Sequence, residues 1–215
     1  MKRTIKVTGI GRAVTKPDQI TLPIRLTAID PDYAKAAAMA EEQLASVQDA
    51  LRVAGFAPED LVTTDFDVSA EYDNRYHPDG TNQRVFLGYR RNHGLCLRFP
   101  LDPDRLALVL TALAGCGAVP ECSVEFTVRD PNAVRTELLA DAARDARAKA
   151  EALCAALGEH LGQLLRVNHN SGMGDFCSPT RMNLGMADGF AAKRMEFTPD
   201  TIDSSDSAEF VWELE

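Results

Sequence analysis

Ten of the residues between Ala133 and Leu157 are alanine, and this run constrains the chain more than any other. Asp130 stands where an N-cap belongs, Pro131 takes the first helical position, where no N–H is needed, and Gly158 falls just past the end. The run therefore predicts one long helix. Along it Val134, Leu138, Ala142, Ala146, Ala150, Leu153 and Leu157 recur at spacings of three or four, an apolar stripe whose middle is built only of methyl groups. Whatever packs there must bring its backbone close. Asp145 with Lys149 and Arg147 with Glu151 are i,i+4 pairs, each worth a few tenths of a kcal/mol, and read as ordinary surface stabilisation. No nucleophile beside a base and no ligand set lies along this helix.

Two more helices share the same opening. Asp30-Pro31 precedes a helix in which Tyr33, Ala37, Ala40, Leu44, Val47 and Leu51 keep helical spacing up to Gly55, and Asp102-Pro103 precedes a shorter one with Leu106, Val109, Leu110 and Leu113 inward. Residues 4–14 and 18–29 read as strands joined at Lys16-Pro17-Asp18. In the second, Ile20, Leu22, Ile24 and Leu26 alternate with polar residues and Pro23. Proline cannot donate to a ladder, so this strand is expected at a sheet edge or at a bulge, where another subunit could join. Residues 61–72 and 85–100 read as strands around the polar turn Asp73–Gly80. Cys122, Val124, Phe126 and Val128 alternate as a further strand, residues 163–169 form another, and Phe210, Trp212 and Leu214 give the last an aromatic face. Residues 170–193, rich in Gly, Ser and Met, read as a long, flexible inserted loop.

At 215 residues the chain can bury a core without disulfides or metal. A net charge of −9 argues against broad binding to nucleic acid or anionic lipid. The N-terminus has basic residues but no apolar run after them, and no stretch reaches the roughly 18–20 apolar residues of a membrane helix, so a cytoplasmic protein is expected. Five cysteines without a Cys-x-x-Cys fit reduced thiols.

The candidate chemistry is thin. His93 and Cys96, three apart on one strand, should point to opposite faces, which separates the only neighbouring thiol and imidazole. Cys116, Cys122, His160, His169 and Cys177 lack zinc spacing, and Gly9 with Gly11 leads into a strand instead of a phosphate-binding helix, so no cofactor and no metal is expected. Arg84, Arg90, Arg91, Arg98 and Arg105 crowd the hairpin. Arg90 and Arg98 are the candidate anion-binding pair, weighed against a solvated strand face that the acidic whole favours. Met182, Met186 and Phe190, at spacing four, are candidate partner contacts because methionine adapts to partner surfaces; the alternative is a segment covering its own core.

Several motifs occur together and in order. They are Val7-Thr8-Gly9-Ile10-Gly11 before Lys16-Pro17-Asp18; Leu51 to Gly55 before Asp60-Leu61-Val62-Thr63; Tyr72; Gly88-Tyr89-Arg90 with Asn92; Phe126 with Asp130; and Asp145-Ala-Arg-Ala-Lys-Ala-Glu151 before Leu157-Gly158 and Leu161-Gly162. In this order the chain resembles the SIMPL-domain family (DUF541) over nearly its full length, as a single domain. The resemblance implies a mixed α+β fold, which on the elements above is a mixed, largely antiparallel sheet packed against two long helices and one shorter helix. It also implies a tendency to oligomerise, with rings or channel-like assemblies in some members, and loose links to oxidative-stress defence, the bacterial envelope and a signalling kinase, but no established reaction. A non-enzymatic, self-associating module, a homo-oligomer open to a further protein partner, is the leading expectation. The alternative is a small-ligand binder or enzyme using the Arg90–Arg98 face and the Tyr72–Tyr76 loop.

Overall fold

The structure, a computed structural model, describes residues 3–76, 82–169, 176–184 and 198–215. Its elements are β1 (Thr4–Thr15), β2 (Gln19–Asp30), α1 (Tyr33–Val53), a 3-10 turn (Pro58–Asp60), β3 (Leu61–Tyr76), β4 (Asn82–Pro100), α2 (Pro103–Gly115), β5 (Glu121–Thr127), α3 (Pro131–Leu157), β6 (Leu161–His169), β7 (Cys177–Leu184) and β8 (Ile202–Leu214). Three helices with two antiparallel sheets make this an α+β fold. The chain divides into two compact units, one of Met1–Asp18, Thr127–Pro179 and Pro199–Glu215, the other of Gln19–Phe126 and Thr180–Thr198.

In the first unit the sheet order is β1-β8-β6 and α3 packs on it. Asp130 caps the helix, its Oδ1 accepting from the N–H groups of Asn132 and Ala133 at 3.0 Å, and Gly158 closes it with a left-handed φ of 72°. The buried stripe is Val134, Leu138, Ala142, Ala146, Ala150 and Cys154. Cys154 therefore ends it, and Leu153 and Leu157 are exposed, because the strict step of four is kept to the last turn. Opposite the methyl groups lie Gly9 and Gly11 of β1. A Cβ at either would sit 1.9 Å from a helix carbonyl oxygen, that of Ala142 or Leu138. Phe210 and Trp212 stack below, their centroids 5.6 Å apart, in a cluster with Val7, Ala146, Ala150 and Ala208.

The helix charges reach β1 as well as each other. Asp145 Oδ2 accepts from Ile10 N–H at 2.7 Å, Asp141 Oδ2 accepts from Arg12 N–H at 3.1 Å, and Lys149 Nζ donates to the Thr8 carbonyl at 3.4 Å. Three groups in the middle of the outer hydrogen-bonding row of β1 are thus met by side chains one helical turn apart. The pair Asp145–Lys149, 2.6 Å apart, belongs to this cap and is not only a surface pair.

The cap titrates. The hydrogen bond from Lys149, then that from Ile10 N–H, hold the Asp145 carboxyl below its ordinary value of 3.8. A depressed folded-state pKa stabilises the fold above the ordinary value, and this stabilisation is lost as pH falls through the lower one. Urea unfolding of Asp145→Asn should therefore weaken less than wild type on acidification below pH about 4. Identical pH slopes for the two proteins would refute the role of the cap.

The second unit holds the sheet β3-β4-β2-β5-β7 with α1 and α2 packed on one face. Ile20, Leu22, Ile24 and Leu26 of β2, Leu95, Leu97 and Phe99 of β4, and Val124 and Phe126 of β5 pack against Val47 and Leu51 of α1 and Leu106, Val109 and Leu113 of α2. Pro23 does not mark an edge: β2 is an inner strand, hydrogen-bonded to both β4 and β5. Four apolar side chains, each contributing about 2 kcal/mol on burial, outweigh the roughly 1 kcal/mol of one missing ladder bond. The first helix is capped by Asp32 instead of Asp30, through hydrogen bonds from Ala34 and Lys35, and this leaves Tyr33 half exposed.

The segment expected as a loop over 170–193 contains β7, hydrogen-bonded to β5. Its sequence, with Pro179 and few β-branched residues, has little intrinsic strand preference; pairing with β5 supplies what propensity does not. Met182 lies in β7, its side chain outside the described set, and Met186 and Phe190 lie outside the described residues altogether.

Candidate interaction surface

From Asp65 to Asp73, β3 alternates without a break between acidic or small residues and apolar ones. Pairing with β4 carries the alternation across the hairpin. Phe66 opposes His93, Val68 opposes Arg91, Ala70 opposes Tyr89 and Tyr72 opposes Phe86, all on one face; Asp65, Asp67, Ser69, Glu71 and Asp73 occupy the other, with Gly94, Asn92, Arg90, Gly88 and Val85. Two irregularities keep this register, one between Thr63 and Asp65 and one between Glu71 and Tyr72, where Leu87 of β4 is passed over. Strand β2 follows β4 only as far as the pair Asp30–Tyr89, so beyond it β3 and β4 run as a two-stranded arm. Gly88 sits at this branch with φ 152°, its Cα so close to β2 that a Cβ would lie 2.6 Å from the Asp30 carbonyl.

The apolar face is a continuous ladder of rings and guanidinium groups. The Arg84 guanidinium carbon lies 3.9 Å from the Tyr72 ring centroid, Tyr72 meets Phe86 at 5.5 Å, Phe86 meets Tyr89 at 5.3 Å and Tyr89 meets Tyr33 of α1 at 5.5 Å. Arg91 then lies 5.5 Å from the Tyr33 ring and 5.4 Å from that of Phe66, which meets His93 edge-on at 5.4 Å. Such edge-to-face and cation–π contacts hold the rings in place. They do not bury them: Tyr33 and Phe66 are 52% exposed, Tyr72 and Phe86 41%. Arg91 Nε is buried without a hydrogen-bond partner, and burial pulls the His93 imidazole below its ordinary value while Thr63 Oγ1 lies 3.0 Å from Nε2.

The arginines expected to face one anion are divided by the register. Arg90 lies on the acidic face and is held by Glu71 at 2.9 Å, which keeps the Glu71 carboxyl below and the guanidinium above their ordinary values. Arg98 stands eight residues along the same strand, about 27 Å away at the rise of a strand, so the two do not converge on one small ligand. Arg105 is on α2, its guanidinium carbon 4.2 Å from the Phe56 ring centroid. The Tyr72–Tyr76 segment is strand, not loop. His93 and Cys96 point to opposite faces as expected, and burial raises the Cys96 thiol. A shallow depression of about 400 Å³ between β3, β4, β2 and β5 is lined by Arg25, Thr64, Asp65, Glu121 and Cys122, whose thiol burial pushes up to about 11. A thiol so raised is a packing group and a poor nucleophile.

The family model described as SIMPL, a protein of unknown function (DUF541), matches residues 5–212. The chain belongs to the SIMPL family. This SIMPL chain matches no curated protein. The motifs Gly88-Tyr89-Arg90 and Asp145–Glu151 that suggested the family now have physical roles: the first places the hairpin arm, the second caps β1. The ring ladder was missed in the sequence although its signal was there. It was the strict alternation from Asp65 to Asp73, which marks a strand with two unlike faces.

Proposed function

We propose that this SIMPL protein is a non-enzymatic module that works by associating with copies of itself, serving stress response or signalling as a scaffold. The half-exposed aromatic and arginine ladder on the β3–β4 hairpin carries this reading. Tyrosine, phenylalanine and arginine in one contiguous patch are the composition of interface hot spots, and their pre-ordering by mutual contacts lowers the entropy lost on docking. The outer strand β6, with Leu164, Leu165 and Val167 about half exposed, adds a second apolar feature open to association.

Light scattering coupled to size exclusion tests the proposal. A mass that is a multiple of the 23.4 kDa chain is expected at micromolar concentration, returning to one chain in the double variant Phe66→Ser/Phe86→Ser. A single-chain mass for the wild type throughout that range would end the proposal.

A further inference from the structure

Resting on self-association, we propose that the contact is heterologous: the aromatic–arginine face of one copy's β3–β4 hairpin docks on the acidic face of the hairpin of the next copy. The two faces are back to back on one sheet, as the register requires. Between Asp65 and Arg75 the acidic face carries Asp65, Asp67, Glu71 and Asp73 against two arginines, Arg90, which Glu71 engages, and Arg75 at the alternate position after Asp73. Across the same stretch the ladder face of the hairpin carries Arg84 and Arg91 and no carboxylate of β3 or β4, and Asp30 of β2, level with Tyr89, accepts from the Asp32 N–H at 2.7 Å. Two ladder faces brought together would oppose cation to cation, and two acidic faces carboxylate to carboxylate. Only the mixed pairing is complementary.

Spacing supports the same pairing. Arg91 opposes Val68 and Arg84 opposes Asn74, so the two cations stand six β3 positions apart, about 20 Å along the strand. Asp67 and Asp73 are also six positions apart on the opposite face. One copy shifted by a single residue along the hairpin of another sets both guanidinium groups over both carboxylates, with the rings between them covered. Arg91 Nε, buried and unpartnered in the single chain, belongs to the side chain this contact would engage. Because donor and acceptor faces differ, each copy that docks leaves a free face of each kind, and assembly proceeds head to tail instead of stopping at a two-fold dimer.

The test is a charge exchange read by light scattering, with circular dichroism confirming that each variant is folded. The Arg84→Glu/Arg91→Glu and Asp67→Lys/Asp73→Lys variants should each run as single chains, since their two faces then carry like charge. Mixed in equal amounts they should reassociate, because every face again meets its opposite. Wild-type assembly should weaken at least tenfold between 0.1 and 1 M salt, where the screening length falls from about 10 Å to about 3 Å. Self-association of Asp67→Lys/Asp73→Lys at wild-type strength would overturn the heterologous contact while leaving self-association standing. So would failure of the mixture to reassociate, or an assembly indifferent to salt. A wild type that is a single chain would instead remove the reading on which this one rests.

Discussion

Replacing Gly9 by alanine is expected to cost the first unit about 3 kcal/mol or more, at the upper end of what overpacking does. The added Cβ would meet the Ala142 carbonyl oxygen at 1.9 Å, the Ala146 Cβ at 2.7 Å and the Ala142 carbonyl carbon at 2.9 Å. None of these is the far end of a flexible side chain. The helix cannot slide away cheaply, because Asp145 and Asp141 hold the next alternate positions of β1 by hydrogen bonds to Ile10 and Arg12. Relief therefore means lifting α3 from the sheet and losing the burial of Ala146 and Ala150 with it. Urea midpoints measure the loss, and Gly115→Ala is the control, since a Cβ there meets nothing within 4 Å. That control should be neutral or gain up to about 1 kcal/mol, as alanine does over glycine in a helix. Equal midpoints for Gly9→Ala and wild type would show that α3 does not seat on the glycines.

The Gly88→Ala variant should be damaged in a different place and by two causes. Its φ of 152° lies where side chains rarely go, about 2 kcal/mol of strain. The new Cβ would also stand 2.6 Å from the backbone carbon and oxygen of Asp30, about 2 kcal/mol of overpacking. Both are relieved by swinging the β3–β4 arm off the end of β2, which parts Tyr89 from Tyr33. Unfolding midpoints should fall by the equivalent of about 4 kcal/mol, and near-ultraviolet dichroism of the tyrosines should change before the second unit unfolds. Gly55→Ala separates the causes, because Gly55 has φ 83° and open space around it, so strain acts there alone. A Gly88→Ala loss no larger than that of Gly55→Ala would remove the close approach to Asp30 from the account.

Helices were readable because their signals are local. Asp102, Asp130 and Gly158 act at the ends they mark, and the buried residues of α2 are the four its spacing named. The errors came where a distant partner decides. Whether Pro23 stands at an edge depends on β5, about a hundred residues further on in the chain, and on four apolar neighbours whose burial outweighs its missing donor. Strand β7 is strand because β5 has an unfilled side, which no property of residues 177–184 announces. Arg90 and Arg98 look like neighbours in sequence, yet strand geometry sets them far apart and puts Arg84 and Arg91 on the opposite face. The ladder joins Tyr33 to seven residues of a hairpin that begins beyond α1, so its members could be listed from sequence but not assembled.

The side chains that α3 lays along β1 also decide how this protein can go wrong. A sheet with two bare margins can be extended indefinitely, as in a fibril, whereas one margin of the first unit's sheet is occupied by Asp141, Asp145 and Lys149. In this sheet, among the described residues, the β6 margin is left to recruit a strand. Recruitment there joins two chains and consumes the open margin of each three-stranded sheet, so accidental pairing through this sheet terminates at a couple.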